Sequence, residues 1–241
     1  MKLKHITFTG IDEKTDINAL QKIQSKYPIA EFGVLTSYHW HENGNRYLNP
    51  DNMVKLFDKG LNLALHVCGS AAHDCAIGDW FKVDRLTSEL LHMYKRIQLN
   101  IACRKDNPAH VTPSLVHGQE IIIQQHSVKE LDVIKGTAKR YGGFPSFFDK
   151  FSVLLDASGG RGIDTPIKTL KVSQSGKILK IGYAGGINPE NVAEKLQYLI
   201  NNVEGSFWID MESGVRTDDW FDLDKVVKVL EICTPIIEKY Q

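Results

Sequence analysis

The sequence contains no hydrophobic run long enough to cross a membrane. No stretch approaches the roughly 18 consecutive apolar residues that suggest a spanning helix, and residues 1–5 lack the apolar core of a secretion signal. Net charge is absent too, because 29 Lys and Arg residues balance 29 Asp and Glu residues. Without an excess of one sign, the chain offers no general field for nucleic acid or a membrane surface. We therefore expect a cytoplasmic protein that binds neither.

Cysteine is also scarce. The four cysteines, Cys68, Cys75, Cys103 and Cys233, form no dense disulfide framework, and a chain of 241 residues can bury a large core without disulfides. The paired CxxC motifs that mark a zinc site are missing as well. We expect free thiols, no bound metal and no cofactor.

Short β-rich apolar runs alternate with helical patterns along the whole chain. Eight such runs are candidate strands: residues 5–9, 31–36, 61–67, 96–101, 120–124, 151–156, 178–184 and 206–210. Regular alternation favours a parallel sheet, and eight units can close into a barrel. An open doubly wound sheet would more often carry a glycine-rich nucleotide loop after the first strand, and none follows here. The sequence predicts an α/β fold, a (β/α)8 TIM barrel, as one domain over residues 1–241.

Capping signals place several of the helices between these runs. Asn49 supplies an N-cap before Pro50, and Gly60 ends that helix. A capping box begins at Ser127, and the Asn188-Pro189 pair opens another helix. Apolar residues at helical spacing predict a last helix over residues 224–239.

Polar side chains stand at the ends of the apolar runs, where a barrel would bring them to one mouth. They are Thr9, His66, Asn100, Gln124, Gln125, Asp156 and Asp210. Any one of them alone could be a satisfied core group. Several that converge on one mouth predict a functional site.

Two turns of small residues follow the seventh and eighth runs. Gly185 and Gly186 leave backbone N–H groups free to approach an anion before a helix begins, and Ser213 with Gly214 repeats the arrangement. Barrels commonly hold a substrate phosphate with these two loops. We predict a phosphate site here; the alternative is a pair of tight turns without a ligand.

Three segments carry a resemblance to a known family: LLDASGG at 154–160, AGGINPENV at 184–192 and DMESGV at 210–215. Their order and spacing are similar to those of phosphoribosylanthranilate isomerase. Weaker matches are RYLNP at 46–50, which resembles the arginine-bearing turn after that family's second strand, and FTGI at 8–11. The resemblance is specific over about residues 151–216.

The resemblance implies an Amadori rearrangement of an aminoaldose phosphate to an aminoketose phosphate, on the pathway to tryptophan. A general acid opens the furanose ring to a Schiff base, and a general base then removes a proton from the adjacent carbon. The acid position of the family corresponds to Asp156, and its cysteine base corresponds to Thr9. Because a threonine hydroxyl needs another base to activate it, His66, Cys68 and Asp210 are candidate replacements.

Further departures from the family pattern indicate a changed substrate. The turn over residues 37–45 is enlarged, Glu212 stands where a small serine is usual, and Arg216 replaces an acidic residue. We assign substrate binding to Arg46, His66 and Asp210.

Two other functions remain open on sequence alone. One is a ribulose-phosphate epimerase type of enzyme, with His66, Asp156 and a histidine from the loop, His39 or His41, around a metal. The other is a non-catalytic protein that binds a phosphorylated metabolite, which the loss of the cysteine base favours. In each case the expected partner is a phosphorylated small molecule, and the oligomeric state is not predicted.

Overall fold

Eight parallel strands close into a barrel in a computed structural model that describes residues 2–42, 44–101, 118–126, 151–169 and 180–240. The strands follow chain order, and β1 pairs with β8 to complete the circle. Their bounds are β1 Leu3–Thr9, β2 Ala30–Thr36, β3 Leu63–Cys68, β4 Arg96–Asn100, β5 Glu120–Gln125, β6 Phe151–Asp156, β7 Lys180–Ala184 and β8 Phe207–Met211. The predicted fold class and all eight predicted strands are confirmed, apart from residues 178 and 179, which lie outside the described residues.

Helices flank the barrel on its outer side. In the described residues they are α1 Ile17–Lys26, α2 Pro50–Phe57, α3 Gly69–Ala76, α4 Phe81–Leu86, α5 Val192–Asn202 and α6 Leu223–Lys239. A 3-10 turn at Ser213–Val215 leads into a small hairpin of β9 Arg216–Thr217 and β10 Trp220–Phe221. The helix predicted to begin at Ser127 lies outside the described residues.

Side-chain caps explain where several helices begin. Asn49 accepts the N–H of Asp51 at the start of α2, as predicted, and Asp222 caps α6. The predicted start of α5 at Pro189 is wrong, because the helix begins at Val192. Before it, Asn188 accepts the backbone N–H groups of Glu190 and Asn191, which holds these residues in a turn.

The barrel interior is filled by its own small cluster of side chains. Ile122, Leu154 and Trp208 pack together there, apart from the large core between strands and helices. Gly182 makes room for the indole, since a Cβ at Gly182 would collide with the Trp208 ring. Of this cluster, Leu154 reaches the cavity at the carboxyl ends of the strands.

Among the described residues, no helix has both the length and the apolar character to span a membrane. Among the described residues, Cys68, Cys75 and Cys233 form no disulfide bond, and Cys103 lies outside the described residues.

Candidate functional site

A cavity of about 380 Å³ opens at the carboxyl ends of the strands. Every site residue predicted from the sequence lines it: Thr9, Arg46, His66, Asp156, Gly185, Gly186, Asp210, Ser213 and Gly214. Of the polar strand-end residues, Asn100 and Gln124 also line it, whereas Gln125 is buried away from the cavity. The barrel therefore brings the candidate phosphate turns and the candidate catalytic groups to one mouth.

The loops after β6, β7 and β8 pack backbone against backbone beside this cavity. Gly186 has a φ of +62°, and a Cβ there would collide with the backbone of Ile163 and Asp164. A Cβ at Gly214 would collide with the carbonyl oxygen of Ile187. Glycine is thus required at both positions by close approach, in addition to any role in binding an anion.

Backbone donors remain available in the turn after β7. Among the described residues, the N–H groups of Gly186 and Ile187 have no backbone or side-chain acceptor. The carbonyl of Gly186, in contrast, accepts the side-chain amide of Asn191 at 2.9 Å. Unpaired N–H groups beside a cavity are the groups that bind phosphate oxygens in such turns.

Lys195 joins two of these loops from behind. Its ammonium group donates to the carbonyl of Gly185 at 2.8 Å and to that of Thr165 at 3.0 Å, and pairs with Asp164 at 2.7 Å. Lys195 was not predicted as a site residue, because a lysine on an amphipathic helix looks like an ordinary surface residue.

Asp156 is surrounded by hydrogen-bond donors. Oδ1 accepts the N–H of Ser158 at 3.0 Å and its hydroxyl at 2.7 Å, while Oδ2 accepts the N–H of Gly160 at 2.6 Å and the Gln124 amide at 3.1 Å. Donors on both oxygens stabilise the negative charge of a carboxylate. They also hold the first turn of the loop that follows β6.

Asp210 has a different environment. Its Oδ1 accepts the hydroxyl of Thr9 at 2.9 Å, and its Oδ2 is buried without a hydrogen-bond partner, 3.9 Å from Nε2 of His66. Burial raises the pKa of Asp210 to about 8. Burial, with Arg96 as a further cause, lowers the pKa of His66 to about 3. At neutral pH both side chains are therefore uncharged in the main.

A row of polar side chains continues from His66 across the mouth. Gln98 lies 3.2 Å from Nδ1 of His66 and donates to Asn100 at 2.9 Å, and Asn100 donates to the sulfur of Cys68 at 3.2 Å. Gln98 was missed in the sequence because it lies inside the fourth apolar run. Its alternation with Arg96 and Asn100 was the available signal, since alternate residues of a barrel strand face the interior.

Arg46 is held by two carboxylates at the rim. Its Nη1 donates to Glu212 at 2.7 Å and its Nε donates to Asp219 at 2.9 Å. Glu212, one of the departures from the family pattern, is thus the partner of the arginine in the loop after β2. The pair joins the loops after β2 and β8 across the mouth.

Arg216, a second departure, does not line the cavity. Its buried guanidinium donates to the carbonyl of Gly10 at 2.6 Å and to that of Asp219 at 2.6 Å, and pairs with Asp12 at 3.1 Å. Its charge is balanced within the structure, so this substitution gives no support to a changed substrate.

The described residues contain no group of three or more His, Cys, Asp and Glu side chains placed to hold a metal ion. His39 and His41 lie in the loop after β2 and do not line the cavity. Nothing in these residues favours the metal-dependent epimerase alternative.

The closed barrel and the contents of its mouth define the class of protein, a (β/α)8 barrel with its candidate site at the carboxyl ends of the strands. The sequence profile of N-(5'phosphoribosyl)anthranilate (PRA) isomerase matches residues 112–232, and the chain belongs to this family. No curated protein sequence matches the chain.

Solved structures agree on the fold. Phosphoribosyl anthranilate isomerase from Thermus thermophilus is 14% identical with a TM-score of 0.59, over 96% of this chain and 99% of that one. The enzyme from Pyrococcus furiosus is 16% identical with a TM-score of 0.52, over 96% and 98%. A truncated 3-deoxy-D-arabino-heptulosonate 7-phosphate synthase from Thermotoga maritima, at 12% identity, reaches 0.54 over 99% and 88%. Barrels with different activities match similarly, so this likeness shows the fold alone.

Proposed function

We propose that the protein is an aldose–ketose isomerase of the Amadori type that acts on a phosphorylated sugar derivative. One observation carries the proposal: the glycine turns after β7 and β8 line the same cavity as the carboxyl groups of Asp156 and Asp210. A sugar phosphate anchored at these turns would extend toward both carboxyl groups. Membership of the isomerase family supports the same reaction class.

The reaction needs one group that gives a proton and one that takes a proton. Asp156 and the Thr9–Asp210 pair are the groups that we assign to these transfers. Thr9 acts with Asp210, to which its hydroxyl is already bonded at 2.9 Å. For Asp156 to reach a substrate, one of its donors has to give way, and the two side-chain donors, the amide of Gln124 and the hydroxyl of Ser158, are those that can rotate.

The phosphate site is proposed from backbone and hydroxyl donors. The N–H groups of Gly186 and Ile187, the hydroxyl of Ser213 and the backbone of Gly214 form its walls. Arg46 lines the cavity too, but Glu212 and Asp219 already bind it. Binding would therefore depend on oriented backbone dipoles more than on a free cation among the described residues.

Ser213 gives a matched test of this site, because it is exposed and already carries a Cβ. Ser213→Asp places a carboxylate beside the phosphate, whereas Ser213→Asn places a neutral group of the same size. We expect the Asp variant to bind ribose 5-phosphate at least about tenfold more weakly than the Asn variant, by calorimetry. Equal affinities would mean that the phosphate binds elsewhere.

Turnover is tested with phosphoribosylanthranilate and with other N-substituted ribosylamine 5-phosphates, by NMR detection of the ketose product. We expect turnover with at least one of them and a loss of about a hundredfold or more in kcat for Asp156→Asn. Unchanged kcat in this variant would remove Asp156 from the mechanism.

A non-catalytic binding protein is the second candidate, and a specific observation favours it. Both oxygens of Asp156 accept hydrogen bonds, most of them from the loop after β6, as expected of a residue that holds this loop in place and does not react. A binder would hold the sugar phosphates in the calorimeter and convert none of them. The cytoplasmic location and the lack of nucleic-acid and membrane partners stay predictions.

A further inference from the structure

The two carboxyl groups of the mouth differ in what surrounds their oxygens. A carboxylate can accept about four hydrogen bonds, and Asp156 accepts four, one from each of four donor groups. Asp210 accepts only the hydroxyl of Thr9 among the described residues, and its Oδ2 is buried without a partner. A buried carboxyl group with so few donors is destabilised in its ionised form, which favours the protonated form.

We infer that Asp210, and not Asp156, is the acid that protonates the ring oxygen of the substrate, with Thr9 as its positioning residue. The inference rests on the isomerase function proposed above. It reverses the assignment implied by the family resemblance, in which the sixth-strand aspartate is the acid. It also gives Thr9 a role that requires no deprotonation of its hydroxyl.

The ring-opening step balances with Asp210 as donor. The proton of the Asp210 carboxyl group, which lines the cavity, moves to the ring oxygen. The bond from that oxygen to the anomeric carbon breaks and leaves its electron pair on oxygen. The lone pair of the substituent nitrogen forms the C=N bond of the Schiff base. Asp210 ends the step as a carboxylate, and the hydroxyl of Thr9 stabilises the new charge.

The groups around Asp210 favour the protonated form at rest. Burial is the largest cause of the raised pKa, and the carboxylates of Glu31 and Glu212 act in the same direction. The Thr9 hydrogen bond and Arg96 act against it. His66 faces Oδ2 but is neutral, because burial lowers its own pKa, so it provides no cation to ionise Asp210.

The inference is tested by carboxyl-carbon NMR titration of the whole protein together with pH profiles of kcat. We expect one carboxyl group to titrate near pH 8, to vanish in Asp210→Asn and to remain in Asp156→Asn. The kcat of the unaltered protein should fall above that same pH as the acid loses its proton. Asp210→Asn should lose about a hundredfold or more in kcat while it retains affinity for ribose 5-phosphate.

Thr9 is tested by a shift that a merely structural role would not produce. Thr9→Val removes the hydrogen bond that lowers the pKa of Asp210, so the alkaline limb of kcat should move to higher pH. Thr7→Val is the matched control, since Thr7 on the same strand donates to Glu31 at 2.8 Å and does not line the cavity. Thr9→Ser keeps the hydroxyl, so the alkaline limb of its kcat profile should lie at the same pH as in the unaltered protein.

Failure of this inference can be told from failure of the isomerase function. If the unaltered protein converts no sugar phosphate, the proposed function is wrong and the acid role falls with it, whatever the titration shows. If conversion occurs but the high titration belongs to Asp156, or is absent, the inference alone is overturned. A profile of Thr9→Val that coincides with that of Thr7→Val would remove Thr9 from the mechanism.

Discussion

Two side chains at the mouth, Asp210 and His66, have shifted pKa values that make both of them neutral at neutral pH. Asp210 and His66 lie 3.9 Å apart and are almost fully buried. Burial disfavours the charged form of each, which raises the pKa of the acid and lowers that of the base. At neutral pH the pair is therefore held as two neutral groups and not as an ion pair.

The pH dependence of stability should report the buried Asp210. In the folded protein its pKa is about 8, against the ordinary value of 3.8 in the unfolded chain, so the folded state holds an extra proton between these values. The contribution of the protonated Asp210 to the free energy of unfolding is therefore fully present below pH 3.8. It is lost as the pH rises through about 8. From pH 6 to pH 8, the unaltered protein should lose about 2 kcal/mol relative to Asp210→Asn, measured by urea unfolding.

His66 provides the opposite slope and serves as the internal check. Because its pKa is lowered from the ordinary value of 6.5 to about 3, His66 contributes stability above pH 6.5, and this contribution is lost as pH falls through about 3. Both proteins contain His66, so its contribution cancels when their free energies of unfolding are subtracted. The difference that remains comes from Asp210: it should be constant below pH 3.8, where the carboxyl group is protonated in the folded and in the unfolded chain, and should change from there up to about pH 8. A difference that stays constant over this whole range would show that Asp210 is ionised in the folded protein.

At the scale of elements, the three loops after β6, β7 and β8 form one packed unit. Gly162, Gly186 and Gly214 each face another loop so closely that a Cβ would come nearer than 3.0 Å to it. Lys195 adds hydrogen bonds from α5 to two of these loops. These contacts would hold the proposed phosphate site in place before a ligand binds, and such preorganisation lowers the entropic cost of binding.

Two causes would make a side chain at Gly186 destabilising, the close packing around it and its left-handed backbone, and a comparison with Gly60 separates them. Gly60 has a φ of +64°, nearly that of Gly186 at +62°, but no atom lies within 4 Å of the place its Cβ would take. Gly60→Ala should cost about 1 to 2 kcal/mol from left-handed strain alone. Gly186→Ala should cost clearly more in urea unfolding and should weaken ribose 5-phosphate binding, which Gly60→Ala leaves intact. Equal costs would show that the loop relaxes around the added methyl group.

The elements themselves were largely predictable, and the loop contacts were not. Runs of alternating or buried apolar residues mark each strand, and an N-cap at Asn49 marks α2, because these signals are local. The role of Arg216 depends on Asp12 and Gly10, which are distant in sequence and meet only when β1 and β8 pair. A departure from a family pattern at such a position can serve the structure and not the substrate. Its contacts come from residues distant in sequence, so the sequence alone does not distinguish a structural role from a role in substrate binding.

At the scale of the whole molecule, the barrel interior is polar at both ends and apolar in the middle. Trp208 and its neighbours separate the mouth from a buried network at the amino ends of the strands. There Arg96 pairs with Glu31 at 2.5 Å and lies over the indole of Trp208 at 4.4 Å. The sequence suggested a barrel from its eight repeats, but it did not suggest that charged strand residues face inward, since Glu31 and Arg96 look like solvent-facing positions.

This network should make the stability of the whole barrel depend on one ion pair. Arg96→Met leaves Glu31, which is 3% exposed, without its cation, and we expect a loss of about 3 to 5 kcal/mol in urea unfolding. Adding Glu31→Gln to that variant should restore much of the loss, because no buried charge then remains unpaired. Lys228→Met, which breaks an exposed pair with Glu190, is the control and should change little. If the double variant is no more stable than Arg96→Met, the loss comes from the missing contact between Arg96 and the indole of Trp208. The ion pair with Glu31 would then contribute little to the free energy of unfolding.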